Sequence, residues 1–176
     1  QAWYQGGLSV FDFTDPANPV EIAFFDRGPL SASELMLGGY WSAYWYNGHI
    51  YGAEIARGLD IFRLTPSEHL TQNEIDAALL VRMDQFNPQL QTKIEWPAEF
   101  VVARAYLDQL ARNDGLRADR RTAVSRALDA AERASGSART AALERLATEL
   151  QSDAQSSTDG ERVRALADVV GALARG

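Results

Sequence analysis

The pattern of apolar and polar positions changes once along the chain, near Pro66. Before that point, short runs rich in aromatic and β-branched residues alternate with Gly, Pro and Asn, a pattern typical of β-strands and turns. Six short strands are predicted, at about 2–5, 8–13, 20–26, 40–46, 49–55 and 58–64. Asn47-Gly48 is the favoured dipeptide of a two-residue hairpin loop, so it is expected to join the fourth strand to the fifth.

After Pro66 the apolar residues recur every three or four positions, which indicates amphipathic helices. Thr71 and Glu74 fit a capping box, and the helix that they open is predicted to reach about Phe86. Four more helices are predicted, beginning at Pro97, at Ala118, after Ser137 and after Thr158. Short helices are marginal alone, so their apolar stripes are expected to pack as a small antiparallel bundle. The predicted fold is therefore α+β in separate segments, with an antiparallel β domain at 1–66 followed by an all-α helical bundle at 67–176.

Two eight-residue segments that lie 51 residues apart are similar, Gly7–Thr14 and Gly58–Thr65. A repeat of about 40–50 residues built from short strands predicts the blades of a β-propeller. Only about one and a half blades are present, and a propeller closes with about four or more. The chain is therefore expected to be the C-terminal piece of a longer protein. The alternative is a small self-contained sheet that packs on the helices.

The first of these segments carries a more specific pattern. Leu8-Ser9-Val10-Phe11-Asp12 is followed by Thr14-Asp15-Pro16-Ala17-Asn18-Pro19, and the segment resembles the repeat of LVIVD-repeat proteins. In that family a Leu-x-Val-x-Asp strand precedes a Ser/Thr-Asp-Pro-x-x-Pro turn and a further strand. The second copy departs from the pattern, because Arg63 stands at the position of Asp12.

The resemblance covers about residues 1–66. It implies a propeller-like bacterial protein that is secreted, periplasmic or on the cell surface, and it implies no defined catalytic centre. The segment Tyr106–Leu110, together with the regular Ala- and Leu-rich helices after it, is similar to the small helical modules called FIMAH domains. Such modules are appended to secreted bacterial proteins.

Composition narrows the possible functions. The net charge is −7, whereas a nucleic-acid-binding protein usually has a basic face, so no nucleic-acid partner is predicted. No apolar run approaches the roughly 20 residues that span a bilayer, so no transmembrane segment is predicted. Cysteine is absent and the two histidines, His49 and His69, lack a metal-ligand spacing. With no phosphate-binding or dinucleotide-binding motif either, neither a metal nor another cofactor is predicted.

Candidate binding residues lie in the β segment. Glu54 and Arg57 flank the second hairpin turn and would present a carboxylate and a guanidinium at the rim of a propeller, and His49 lies beside the first turn. Alternatively, Glu54 and Arg57 pair across the turn, which is worth about 0–1 kcal/mol when exposed. Trp41 and Trp45 would stack on sugar rings, or they would bury between neighbouring blades.

Alternation along the fourth strand separates its aromatic residues into two faces. It is expected to place Tyr40, Ser42, Tyr44 and Tyr46 on one face, and Trp41, Ala43 and Trp45 on the other.

These patterns predict a binding or scaffold role rather than catalysis, and no catalytic residue is assigned. The helical tail would cap the repeat array or dock a partner, since repeat arrays need ends that face water. The expected partners are a protein or a glycan, together with the remaining blades of the same longer chain. Two alternatives stay open, a peripheral fragment of a propeller enzyme and a carbohydrate-binding module.

Overall fold

The computed structural model describes residues 1–90 and 92–176. Within these ranges the N-terminal part forms two small antiparallel sheets and the C-terminal part forms five α-helices, which confirms the predicted α+β fold in separate segments. The strands are β1 (Leu8–Asp12), β2 (Val20–Phe25), β3 (Tyr40–Tyr46), β4 (His49–Glu54) and β5 (Gly58–Phe62). The helices are α1 (Gln72–Leu79), α2 (Phe100–Arg112), α3 (Ala118–Arg133), α4 (Gly136–Asp153) and α5 (Gly160–Arg175), and Pro88–Leu90 adds one turn of 3₁₀ helix.

The chain forms two compact units. The β unit comprises Gln1–Leu70 and Leu79–Ile94, and the helical unit comprises Thr71–Ala78 and Glu95–Gly176. The sequence predicts a division after residue 66; in the structure the first division falls after Leu70, and the chain returns to the β unit at Leu79 before it continues into α2. Among the described residues, no helix has the length and apolar character needed to cross a membrane.

Five strands of the β unit form two sheets. β1 pairs with β2 in the first sheet, and the second sheet has the order β3-β4-β5. The predicted strand at 2–5 does not form; instead, Ala2 and Tyr4 make isolated bridges to Leu8 and Gly39. Gln5, with a φ of 56°, turns the chain away after these bridges.

The two sheets pack against each other around a glycine of β4. A Cβ added at Gly52 would lie 2.7 Å from the ring of Tyr40 and 3.3 Å from the side chain of Leu8, so the missing side chain makes room for both. Beside them the rings of Phe25 and Phe62 meet with centroids 4.6 Å apart. We call the face of the second sheet that carries Gly52 and Phe62 the inner face, and the opposite one the outer face.

A β-bulge changes the predicted alternation of β3. The register shifts between Tyr40 and Ser42, so Trp41 is an extra residue against β4. The shift brings Tyr40 to the inner face, where it is 2% exposed, and leaves Trp41 57% exposed. The predicted set Tyr40, Ser42, Tyr44 and Tyr46 is therefore wrong at its first member, because alternation holds only where each residue has its own partner.

The helical unit has one main core. Most of its residues come from α2, α3, α4 and α5, and its largest fully buried side chains are those of Leu110, Val124, Leu128, Leu143, Leu150, Val163, Leu166 and Val170. The capping box of α1 is confirmed, since Glu74 accepts from Thr71 N at 2.7 Å and Thr71 Oγ1 accepts from Glu74 N at 3.2 Å. Helix α2 is followed by a left-handed residue, since Asp114 has a φ of 49°, and Gly115 N donates to the Leu110 carbonyl at 3.0 Å.

Helix α1 ends at Leu79, seven residues before the predicted end at Phe86. The backbone that follows Leu79 instead forms hydrogen bonds with the hairpin turn between β3 and β4. Asn47 Oδ1 accepts from Met83 N at 2.8 Å, and Asn47 Nδ2 donates to the Met83 carbonyl at 3.1 Å. The hydroxyl of Tyr46 donates to the same carbonyl at 2.8 Å. Tertiary hydrogen bonds thus replace the helical ones that the apolar spacing predicts.

Asn47→Ala is expected to destabilise the β unit by about 2 kcal/mol, because two hydrogen bonds to Met83 are lost at about 1 kcal/mol each. The φ of 48° at this position adds strain for alanine. Urea unfolding followed by tryptophan fluorescence measures the change. Asn47→Asp is the matched control: it keeps the acceptor for Met83 N and tolerates a positive φ, so a loss as large as that of alanine would contradict this explanation.

Candidate functional site

The predicted pair Glu54 and Arg57 does meet, at the turn between β4 and β5. The Glu54 side chain is only 1% exposed, and its Oε1 lies 3.6 Å from Arg57 Nη1. Its Oε2 accepts from the backbone N–H of Ala56 at 2.8 Å and from that of Arg57. The Glu54 carboxylate therefore stabilises the turn in two ways, through hydrogen bonds from the backbone of the turn and through the ion pair with Arg57.

A second group of charges lies beside this pair on the inner face. Arg27 Nη2 is 2.6 Å from Asp60 Oδ2, and the hydroxyl of Tyr40 donates to the same oxygen at 2.5 Å. Arg27 Nη2 also donates to the Tyr40 hydroxyl, at 3.4 Å. Together with Glu54 and Arg57 these residues form what we call the charged cluster.

The cluster shifts the ionisation of its members. Burial raises the pKa of Tyr40 to about 12, and the hydrogen bond to Asp60 acts in the same direction. The hydrogen bond from Arg27, followed by that from Tyr40, lowers the pKa of Asp60. The phenol therefore stays protonated and the carboxylate stays charged around neutral pH, which keeps Tyr40 a donor and Asp60 an acceptor.

Alkaline pH is expected to destabilise the β unit through Tyr40. Because the folded-state pKa lies above the ordinary value of 10.0, the stabilisation is complete below pH 10 and is lost as the pH rises towards 12. The measurement is the urea midpoint by tryptophan fluorescence across this range, for the wild type and Tyr40→Phe. The variant is expected to be less stable at neutral pH but to lose less on going from pH 10 to pH 12. An equally steep loss in the variant would assign the effect to other groups.

The charged cluster has little room for a ligand. The cleft beside it has a volume of about 10 Å³, and its lining includes Gly38, Gly39 and every member of the cluster except Asp60. Such a space accommodates about one water molecule. Two guanidinium groups and two carboxylates balance one another here, and within residues 1–90 and 92–176 no group of three or more His, Cys, Asp or Glu side chains is placed to hold a metal ion. The arrangement therefore supports an internal, turn-holding role.

The other predicted binding residues lie elsewhere in the β unit. His49 begins β4 and Glu54 ends it, which separates them by about 16 Å along an extended strand. The ring of Trp41 meets that of Tyr4 edge-on at 5.5 Å. Trp45 is half-buried and lines a groove next to β1. The structure thus brings together only Glu54 and Arg57 of the five predicted residues.

The outer face of the second sheet was missed as a site by the sequence reasoning. Phe62 points to the inner face, so alternation places Leu59 and Ile61 on the outer face. These side chains are 65% and 58% exposed. Tyr44, on the same sheet, is 47% exposed. Exposed apolar side chains that adjoin one another on a sheet mark an interaction surface more often than isolated ones do.

The signal that identifies this surface is the 51-residue offset. Ala2 is bridged to Leu8, and Ala53, 51 residues after Ala2, is paired with Leu59 in the same antiparallel register. Leu8 is 4% exposed because it packs on the inner face of the second sheet, whereas its counterpart Leu59 is 65% exposed. The leucine at this position of the repeat is therefore buried in the first copy and exposed in the second.

No protein family, curated protein or solved structure matches this chain. The described residues contain a compact, internally paired charged cluster and an open apolar face.

Proposed function

We propose that this chain is a non-catalytic binding and scaffold part of a β-propeller-type repeat protein. In this proposal the outer face packs against a further sheet of the same kind, as the first sheet packs on the inner face. The LVIVD-like pattern around Leu8 and Asp15 adds to this, and it extends the proposal to an extracytoplasmic bacterial protein. The helical unit would provide a separate surface for a protein partner.

The observation that carries the proposal is the contrast between Leu8 and Leu59. Both have an alanine partner in the same register, 51 residues apart, and only Leu8 is covered. A contact that joins one face of a unit to a different face of the next is heterologous, and it propagates until the array closes. At the end of such an array, the last repeat leaves exposed the surface that is buried in the repeat before it.

The charged cluster is a second observation that supports a scaffold role. Asp60 uses its carboxylate on Arg27 and Tyr40, and Glu54 uses one oxygen on two backbone N–H groups. A catalytic acid or base needs access to a substrate proton. These side chains instead fix the turn after β4 and the position of Tyr40, which sets the shape of the inner face.

The outer face is tested by replacing its apolar side chains. The double variant Leu59→Ser, Ile61→Ser is expected to show less self-association in analytical ultracentrifugation and less binding of a hydrophobic dye than the wild type, because an exposed apolar sheet face is sticky. Leu35→Ser is the matched control, since Leu35 is 95% exposed and lies outside the strands. Circular dichroism checks that all three proteins are folded.

Two results would overturn the proposal. One is a wild-type chain that is monomeric and binds no dye, so that the outer face attracts nothing. The other is an equal decrease in the double variant and in Leu35→Ser, which would show that general hydrophobicity, and not this face, is responsible.

A further inference from the structure

The backbone groups of β4 are shared between its two neighbouring strands. The two-residue loop Asn47-Gly48 joins β3 to β4, so the residues that flank it, Tyr46 and His49, form a hydrogen-bonded pair. Along an antiparallel ladder such pairs recur every second residue. Counted from His49, the backbone of Gly52 therefore faces β5, where its partner is Asp60.

The other edge of β5 is unpaired. Because the backbone of Asp60 faces β4, the N–H and C=O groups of Leu59 and Ile61 point to the opposite edge. Across the part of the chain that the structure describes, these groups have no hydrogen-bond partner. The side chains of both residues are exposed as well. An edge of this kind is a template for pairing with a further strand.

The first copy of the repeat shows what covers the corresponding edge. The counterparts of the two residues, 51 positions earlier, are Leu8 and Val10. They lie opposite Phe25 and Ala23 of β2, whereas Ser9 between them forms its backbone hydrogen bonds on the other side of β1. An antiparallel strand thus pairs with this edge in the first copy.

The chain does not supply such a strand to β5. Moved on by 51 residues, Val20–Phe25 falls on Thr71–Asp76, and this segment forms the cap and the first turns of α1. The edge is therefore left open by a change of secondary structure within the chain. A second copy of the chain cannot provide its own β2 in the same register, because the groups required already pair with its β1.

We propose that the free edge of β5 binds an extended segment of a partner protein by antiparallel strand addition, in the register that β2 has on β1. Backbone hydrogen bonds to Leu59 and Ile61 would provide affinity, and the side chains of the added strand would provide specificity. The exposed Arg63 stands where β1 has Asp12, which lies opposite Val20. The partner is therefore expected to have a carboxylate at the position of Val20, since opposite charges stabilise a cross-strand pair.

This inference goes beyond the proposed function, which concerns the apolar side chains of the outer face. Strand addition uses the backbone of β5, and the double variant Leu59→Ser, Ile61→Ser keeps that backbone. The edge and the outer face can therefore fail separately.

The test uses a synthetic peptide with the sequence of Asn18–Asp26 in which Val20→Glu provides the carboxylate. Calorimetry is expected to show binding to the chain. Hydrogen exchange is expected to show that the amides of Leu59 and Ile61 become protected on the order of tenfold, since each gains a partner. A peptide of the same composition in scrambled order is expected to do neither. Absence of binding, or binding without protection of these amides, would overturn the proposal.

A peptide with the opposite charge tests the register. With Val20→Lys in place of Val20→Glu, the peptide is expected to bind at least about twofold more weakly, because like charges then face each other. The difference is expected to disappear in the protein variant Arg63→Ala. Equal affinity of the two peptides for the wild type would contradict the proposed register.

Modified peptides separate strand pairing from apolar adsorption. N-methylation at Ala23 of the peptide removes the N–H that would donate to the Ile61 carbonyl, whereas N-methylation at Phe24 blocks a group on the far side of the added strand. The first modification is expected to weaken binding at least about fivefold more than the second, the factor that corresponds to one hydrogen bond of about 1 kcal/mol. Equal weakening would show adsorption without strand addition and would overturn the proposal.

Variants of the protein give an independent arm. Ile61→Pro removes the N–H on the open edge, where proline is tolerated because the β4–β5 ladder does not use that group. Ile61→Ala is the matched control, since it also loses the isoleucine side chain but keeps the N–H. The proline variant is expected to bind at least about fivefold more weakly than the alanine variant. Equal affinity contradicts the proposal, and if the proline variant does not fold, the N-methyl peptides decide.

Hydrogen exchange without peptide tests the remaining occupant, a second copy of this chain paired through its own β5. Protection of the amides at positions 59 and 61 that increases with protein concentration, and that persists in the double variant Leu59→Ser, Ile61→Ser, would show such pairing. That result would overturn the choice of a partner protein. We expect both amides to exchange freely at all protein concentrations in the double variant.

Discussion

Leu166→Ala is expected to destabilise the helical unit by about 2–5 kcal/mol, one of the two largest effects for a single substitution in this chain. Leu166 is fully buried in α5, the helix that contacts both α2 and α4. Truncation removes apolar contacts and leaves a cavity that the three helices can fill only partly. Since alanine is a good helix former, the loss comes from packing and not from helix propensity. Urea unfolding followed by far-UV circular dichroism measures it.

Arg164→Ala is the control on the same helix. Arg164 is exposed, and its replacement is expected to change the stability by about 0.5 kcal/mol or less. A loss at Leu166 that does not exceed the loss at Arg164 would show that the core of α2, α4 and α5 is loosely packed. A large loss at both positions would point to an effect on the helix itself.

Glu74, at the start of α1, makes one contact that the local sequence predicts and another that depends on the tertiary structure. The capping box of Thr71 and Glu74 could be predicted because its two residues are three positions apart and bond each other. The ion pair of Glu74 with Arg112, at 2.6 Å, joins α1 to the end of α2 and has no local signature. Burial acts to raise the pKa of Glu74, but the hydrogen bonds from Arg112 and from the Thr71 backbone outweigh it and lower the pKa.

The strands could be predicted well because their boundaries are local as well. Asn47 and Gly48 have φ values of 48° and 86°, the left-handed conformations that a tight hairpin loop requires and that Asn and Gly adopt readily. The bulge at Trp41 could not be predicted, since it depends on how β3 aligns with β4. That single shift decides whether Tyr40 or Trp41 is buried.

The same distinction between local and tertiary contacts explains which parts of the candidate site could be predicted from the sequence. Glu54 and Arg57 are three residues apart across a turn, so their pairing is visible in the sequence. Asp60 accepts a hydrogen bond from Tyr40, which lies 20 residues earlier in the sequence. The two residues meet only because β3 and β5 lie on either side of β4 in the same sheet. The outer face had a signal, the 51-residue offset, but the offset alone does not show which copy of the leucine is covered.

Gly7→Ala is expected to destabilise the β unit by about 3 kcal/mol, the other large effect. An added Cβ would stand 1.5 Å from the carbonyl oxygen of Phe25 and 2.9 Å from Asp26 Cα. Both are backbone atoms, so the β1–β2 pair must move apart, which also disturbs the contact of Phe25 with Phe62. Tryptophan fluorescence during urea unfolding reports the loss.

Gly58→Ala is the informative comparison, because Gly58 is the counterpart of Gly7 in the second copy of the repeat. A Cβ there meets nothing within 4 Å, and the φ of 97° alone makes alanine unfavourable, by about 1–2 kcal/mol. The first glycine is thus needed for the approach of a neighbouring strand and the second for its backbone conformation. Because a D-amino acid favours a positive φ, semisynthetic D-alanine at position 58 is expected to restore most of the stability that L-alanine loses there. Failure of D-alanine to restore it would refute the assignment of Gly58 to backbone conformation.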